Sequence, residues 1–213
     1  MIVALSILNI EEEDRIKKVK DFMKIEDNWI HFDIMDGEFV ENKTFSFEVV
    51  QEINGYCEML KDVHLMTYNP CEHIKEYFKA GADQITFHYE SVDKDKIIAT
   101  INEIKKYGMK VGLSVKPSTN ISEIEEYLKY LDLVLVMSVE PGKGGQKFME
   151  EALNKIIWLK EKQKDYHYLI SVDGGINNNT CKLVKEAGAN VVVVGTYLTK
   201  SDIDVDKIEE LMK

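Results

Sequence analysis

His31 and Asp33 stand two residues apart inside the apolar run "WIHFDIM" (Trp29–Met35). In an extended chain, side chains two apart point the same way. An imidazole and a carboxylate therefore share one face of a strand otherwise built for a core. Similar groups recur near the ends of other apolar runs: His64 in "DVHLM", His88 in "QITFH" and Asp173 in "SVDGG". His31, Asp33, His64 and Asp173 form a two-imidazole, two-carboxylate set, which suits a divalent ion such as zinc, iron(II), manganese or cobalt. Each residue alone reads equally well as a polar group capped by hydrogen bonds. Burying the two carboxylates together is costly without a cation, which gives the metal reading its weight. His88 shares a face with Thr86 and Gln84 and reads either as a pocket residue or as a hydrogen-bonded support behind one. His73 and His167 have charged neighbours and read as surface residues.

Glycines make a second pattern. "EPGKGGQ" (Glu140–Gln146) carries Gly142, Lys143, Gly144 and Gly145; "DGG" ends in Gly174 and Gly175; "VGT" holds Gly195 and Thr196. Glycine lets backbone N–H groups approach an anion closely. One such turn is usually only a turn, but three on successive units suit a phosphate. Met35, Met66 and Met137 each close an apolar run. They read as core filler or as an apolar cap over a reacting carbon.

Strands must position these groups. Strand-like runs are Val3–Ile7, Trp29–Asp33, Lys61–Leu65, Gln84–His88, Lys110–Val115, Leu133–Met137, Tyr168–Val172 and Val191–Gly195, with about eight helical stretches between and after them. "EEEDRIKKVKDFMK" puts Ile16, Val19, Phe22 and Met23 at helical spacing behind an acidic first turn; Ser46–Ile53 has the thinnest helical pattern. "KAGADQITFH" and "EAGANVVVVG" repeat one step, a helix capped by glycine (Gly81, Gly188) and then a buried strand. Strictly alternating strands and helices imply a parallel sheet. No Gly-rich turn follows the first strand, as an open dinucleotide-binding sheet would have. The expectation is an α/β protein, a (β/α)8 or TIM barrel, forming one domain over residues 1–213. In such a barrel chemistry sits at the C-terminal ends of the strands, with phosphate held by the loops after strands seven and eight.

The formal net charge of −11 repels nucleic acid and anionic membrane without excluding a small anion. No apolar run is long enough to span a bilayer, and "MIVALSIL" lacks a basic lead-in and a cleavage site, so it reads as a first strand rather than a leader. Cys57, Cys71 and Cys181 form no C-x-x-C pair, which suits reduced thiols and a cytoplasmic location.

Taken in order, "SIL", "HFDIMDGEFV", "DVHLM", "AGAD", "VMSVEPGKGGQKFM", "SVDGGI" and "EAGAN…VVGT" resemble the ribulose-phosphate 3-epimerase family across nearly the whole chain. The resemblance implies a (β/α)8 barrel that interconverts D-ribulose 5-phosphate and D-xylulose 5-phosphate by inverting carbon 3. It implies His31, Asp33, His64 and Asp173 as ligands of one divalent ion, and Asp33 and Asp173 as the acid/base pair. Ser6 and His64 would contact substrate. Gly142, Lys143, Gly144, Gly145, Gly174, Gly175, Gly195 and Thr196 would hold the phosphate end, and Met35, Met66 and Met137 would cap the intermediate. The chemistry is sound on its own terms. A proton beside a ketone is weakly acidic, a cation on the substrate oxygens stabilises the enediolate, and one carboxylate must be ionised while the other is protonated.

The chain departs from the family pattern at Leu5 and Glu41, where proline is common, at Lys143, where an aromatic residue is usual, and at Thr196, where serine is common. Leu5 and Lys143 leave open a hexulose 6-phosphate substrate such as D-allulose 6-phosphate. A phosphosugar decarboxylase on a similar barrel is disfavoured, because "DVHLM" lacks the lysine of an Asp-x-Lys-x-x-Asp arrangement. A silent barrel that only binds sugar phosphate is disfavoured by the complete His/Asp set. The expected partner is a small ketose phosphate, with no nucleic acid and no membrane. A homo-oligomer is left open, with nothing to select a dimer or a hexamer.

Overall fold

Valine- and isoleucine-rich runs become eight strands in the computed structural model, which describes residues 1–213. β1 (Ile2–Ser6), β2 (Trp29–Met35), β3 (Leu60–Met66), β4 (Gln84–His88), β5 (Lys110–Val115), β6 (Leu133–Met137), β7 (Leu169–Asp173) and β8 (Val191–Val194) pair in chain order, all parallel, and β8 pairs back onto β1. The expected barrel is therefore present, and its closure removes the sheet edges. Parallel neighbours need crossovers. These are α1 (Glu12–Phe22), α2 (Phe47–Asn54), α3 (Ile74–Ala80), α4 (Ile97–Lys106), α5 (Ala152–Lys162) and α6 (Asn178–Ala187). The short α7 (Thr196–Thr199) and then α8 (Val205–Met212) follow β8. The thin helical pattern at Ser46–Ile53 does fold as a helix, α2. Gly81 and Gly188 cap α3 and α6 with left-handed backbone, φ 96° and 115°.

One crossover corrects the expectation. Ile121–Tyr130, between β5 and β6, winds as a 3-10 helix rather than an α-helix. Of its buried residues, Ile121, Ile124 and Tyr127 recur every third position, the period of a 3-10 turn, and Leu128 is buried beside them. The strand ends also differ. β2 runs on to Met35 and β3 to Met66, in register Asp33 with His64 and Met35 with Met66. Asp33 and His64 therefore lie within strands, one layer below the methionines that end them, with His31 a layer deeper, and Gly195 lies just past β8.

Each strand has two buried faces. The outer face packs under the helices in a core of 50 buried residues that includes Leu5, Phe32, Leu65, Phe87 and Val172. The inner face is divided. Ala4, Trp29, Leu133, Leu135, Val191 and Val193 fill one side of the barrel with apolar groups. The side formed by β2, β3 and β4 carries His31, Asp33, Asp62, His64, Gln84, Thr86 and His88, each at most 4% exposed. Barrel interiors are normally packed with branched apolar residues. A buried polar half is tolerated only where its groups find partners.

Candidate active site

The four residues singled out from sequence converge. One ligand-capable atom from each of His31, Asp33, His64 and Asp173 lies within 4.8 Å of the others. Ser6 Oγ on β1 donates to Asp33 Oδ2 at 2.7 Å, leaving Oδ1 turned toward His31 Nε2 and His64 Nδ1, each 3.4 Å away. His31 is fully buried, and its Nε2 has no hydrogen-bond partner. A buried ring nitrogen aimed between two carboxylates fits a ligand to a cation, because leaving it unpaired costs free energy. His31 Nδ1 is held by Asp62 Oδ2 at 2.9 Å, and Asp62 Oδ1 accepts from Gln84 Nε2 and Thr86 Oγ1, both at 2.8 Å. This is the carboxylate–imidazole support that fixes the ring of a metal-ligating histidine.

The two carboxylates of the site are pushed apart. Burial raises the pKa of Asp33, but the neighbouring charges of His31 and His64 outweigh it, and the Ser6 hydroxyl donates to it, so the group is held below the usual carboxylate range. Asp173 has no such donors. Burial, and then the charge of Asp33, push it up to about 6. Burial opposes a proton on His31, yet Asp33 and Asp62 together pull its pKa well above normal, so this spot favours positive charge. Near neutral pH the site therefore holds one ionised carboxylate and one that retains a proton readily.

A cavity of about 430 Å³ opens over this cluster, within the range of small-molecule sites. Its wall includes Ser6, Asp33 and Asp173; Met35, Met66 and Met137; Gly142, Lys143, Gly144 and Gly145; Gly174 and Gly175; and Gly195 and Thr196. His31 and His64 are off the wall, each 0% exposed. A direct substrate contact from His64 is thus the one expected contact the wall does not include. Met35 and Met66 pack with Phe39, and Met137 with Val139. Gly174 and Gly175 turn with φ 119° and 64°, and a Cβ on Gly175 would come within 2.5 Å of the Phe148 backbone nitrogen, so only glycine fits there.

The comparisons follow this geometry. The sequence matches the description "Ribulose-phosphate 3 epimerase family" over residues 2–199. The chain belongs to that family. It is 43% identical over 188 residues to the ribulose-phosphate 3-epimerase of Aquifex aeolicus, covering 86% of this chain and 84% of that one. It is 41% identical over 171 residues to that of Treponema pallidum, covering 79% and 77%. It is 37% identical over 199 residues to a cytoplasmic isoform from Oryza sativa subsp. japonica, covering 92% and 86%. Among solved structures, 3-hexulose-6-phosphate synthase from Salmonella typhimurium superposes with a TM-score of 0.72 at 17% identity, covering 99% and 96%, which is a likeness of fold.

Set against the epimerase family pattern, the departures fall in different places. Leu5 is fully buried under the helices, away from the cavity. Glu41 is exposed in a side cleft with Asn42 and Lys143. Thr196 accepts from Asn9 Nδ2 at 3.0 Å. Only Lys143 and Thr196 reach the cavity. The single lysine of β3, Lys61, belongs to the outer face and pairs with Asp83 at 2.9 Å, so β3 offers no lysine to the site for a decarboxylase chemistry.

Sequence reasoning missed Asp62, Glu90 and Asn9. Asp62 was detectable, since it stands two before His64 on the same face. Glu90 and Asn9 lie in loops with no periodic signal. Asp36 shapes the loop after β2: its carboxylate accepts from the backbone N–H groups of Glu38, Phe39 and Tyr68. The three cysteines are unpaired, and no helix is long and apolar enough to cross a membrane.

Proposed function

We propose that this protein is an isomerase of the epimerase family named above, a metal-dependent ketose-phosphate 3-epimerase acting on D-ribulose 5-phosphate and D-xylulose 5-phosphate. The observation that carries the reading is the pair of carboxylates, Asp33 and Asp173, facing one cavity with proton affinities set apart by their surroundings. Inverting a carbon beside a ketone needs a base to remove the proton and an acid to return one to the other face. Asp33, ionised and oriented by Ser6, is the base in one direction. Asp173, protonated, is the acid. The two exchange roles in the reverse direction. A divalent ion held by His31, Asp33, His64 and Asp173 would supply Lewis-acid stabilisation of the negative charge that develops on the substrate oxygens; zinc, iron(II), manganese and cobalt all suit this donor set. Met35, Met66 and Met137 keep water from the reacting carbon. The glycine turns after β6, β7 and β8 hold the phosphate, with Lys143 at their rim.

We further propose a cytoplasmic location, supported by the unpaired cysteines and by the cytoplasmic isoform among the relatives. Residues 1–213 act as one catalytic domain in this reading.

The test is solvent deuterium. Substrate incubated with the metal-loaded protein in deuterium oxide is expected to gain label at carbon 3, with label slowed strongly in both Asp33→Asn and Asp173→Asn. Full-rate labelling in both variants overturns the two-carboxylate reading. Parallel rates with pentulose 5-phosphates and hexulose 6-phosphates, each metal added back after chelation, select the substrate and the ion.

A further inference from the structure

His31 is supported directly by a carboxylate, but His64 is not. Behind His64 lies a second imidazole. His64 Nε2 and His88 Nε2 are 2.9 Å apart, and His88 Nδ1 is 3.2 Å from Glu90 Oε2. Both rings are 0% exposed. Glu90 Oε1 accepts from the backbone N–H of Lys116 at 2.8 Å and from the Thr119 hydroxyl. These donors, with His88, hold the Glu90 carboxyl at about 2 against its burial, so it is ionised and can only accept.

With both rings neutral, the protons in this line have one consistent placement. An acceptor-only Glu90 requires the N–H of His88 at Nδ1. A neutral His88 then offers a lone pair at Nε2. Two ring nitrogens 2.9 Å apart need one proton between them, so His64 carries its N–H at Nε2. Its other nitrogen, Nδ1, is left with a lone pair facing Asp33 and the proposed metal position. We propose that His88 and Glu90 are positioning residues that set the tautomer of His64, so that its Nδ1 is ready to bind the divalent ion. The inference rests on the metal reading above.

The line also ties the site to loops outside it. Phe39, from the loop after β2, packs its ring 4.9 Å from that of His88, and the Lys116 ammonium sits 3.9 Å from the centroid of Phe39. The loops after β2, β4 and β5 therefore close on one buried imidazole whose orientation sets a ligand on the neighbouring strand.

Two readouts test this without relying on turnover. In metal-free wild-type protein, nitrogen-15 NMR of the imidazoles is expected to find the His64 proton at Nε2 and the His88 proton at Nδ1; a His64 proton at Nδ1 overturns the proposal. Chelator competition with zinc and cobalt is expected to show about 10–100-fold weaker binding for His88→Phe. His88→Gln, whose side-chain oxygen can still accept from His64, should recover most of it. Glu90→Gln, which keeps the shape of the side chain, should weaken binding by a smaller factor. Wild-type affinity in both His88→Phe and Glu90→Gln overturns the proposal. Failure of the wild-type protein to bind any divalent ion removes the metal reading instead, and the NMR assignment then decides the relay alone.

Discussion

Asp33 and Asp173 are one side-chain type with two proton affinities, and the difference is made by neighbours. Asp33 has Ser6, His31 and His64 around it; Asp173 has burial and the charge of Asp33. Replacing either by asparagine removes a proton carrier and is expected to lower kcat for epimerisation by about 10²–10⁴-fold, measured with the variant at saturating metal. Lys143 acts differently. It is exposed on the cavity wall and makes no ion pair. Its charge attracts a phosphate equally before and during reaction, so Lys143→Ala should raise KM by about two- to tenfold with kcat unchanged. The rise should shrink as salt is added; a KM insensitive to the substitution would remove Lys143 from the phosphate site.

The β-to-α loops carry the next set of consequences. The turn after β7 depends on glycine: at Gly175 a side chain meets both a positive φ and the Phe148 backbone. Gly175→Ala is expected to cost about 1–2 kcal/mol from the left-handed backbone alone, and to displace the loop that follows Asp173, raising KM. The loop after β4 depends on charge. Glu90 ionises at about 2 in the fold and near 4.5 in an unfolded chain. Between those values the unfolded chain binds more protons, so stability rises with pH there. The ionised group contributes fully above about pH 4.5, and its contribution is lost as pH falls toward 2. Glu90→Gln should therefore lower Tm at pH 6, by at most about 3 kcal/mol in stability, and the gap to wild type should close on acidification. A gap independent of pH would mean that Glu90 acts by packing alone.

Across the whole molecule, the barrel gathers its costs in one place. The helix-covered outer face is a continuous apolar core, while the inner face of β2, β3 and β4 is polar. A cation that binds only the folded site stabilises by mass action, about 2.7 kcal/mol at one hundred times its Kd. For a chain of this size that corresponds to a Tm shift of about 5–10 °C. Chelation should lower Tm by this amount and re-addition restore it, with the ion that restores most being the one the site prefers. Scanning calorimetry showing no change with any divalent ion would count against the His31–Asp33–His64–Asp173 site.

Much of this was legible in the chain itself. Period-two patterning with His31 and Asp33 on one strand face, glycines closing three consecutive strand ends, and unbroken strand–helix alternation determine a barrel with chemistry at one mouth. They do so because side-chain direction follows from local backbone geometry. The sequence also marked Asp173, which sits 140 residues from Asp33, as a partner. What it left open depended on distance between elements. The difference in proton affinity between the two aspartates arises from which groups surround each, and those groups come from β1, β2 and β3. The crossover at Ile121–Tyr130 winds in threes, with Ile121, Ile124 and Tyr127 buried at that spacing and Leu128 beside them. The line from His64 through His88 to Glu90 crosses from a strand to a loop with no periodicity to announce it. Only closure of the sheet brought those nitrogens within 2.9 Å, and hydrogen bonds between elements leave no pattern along a chain.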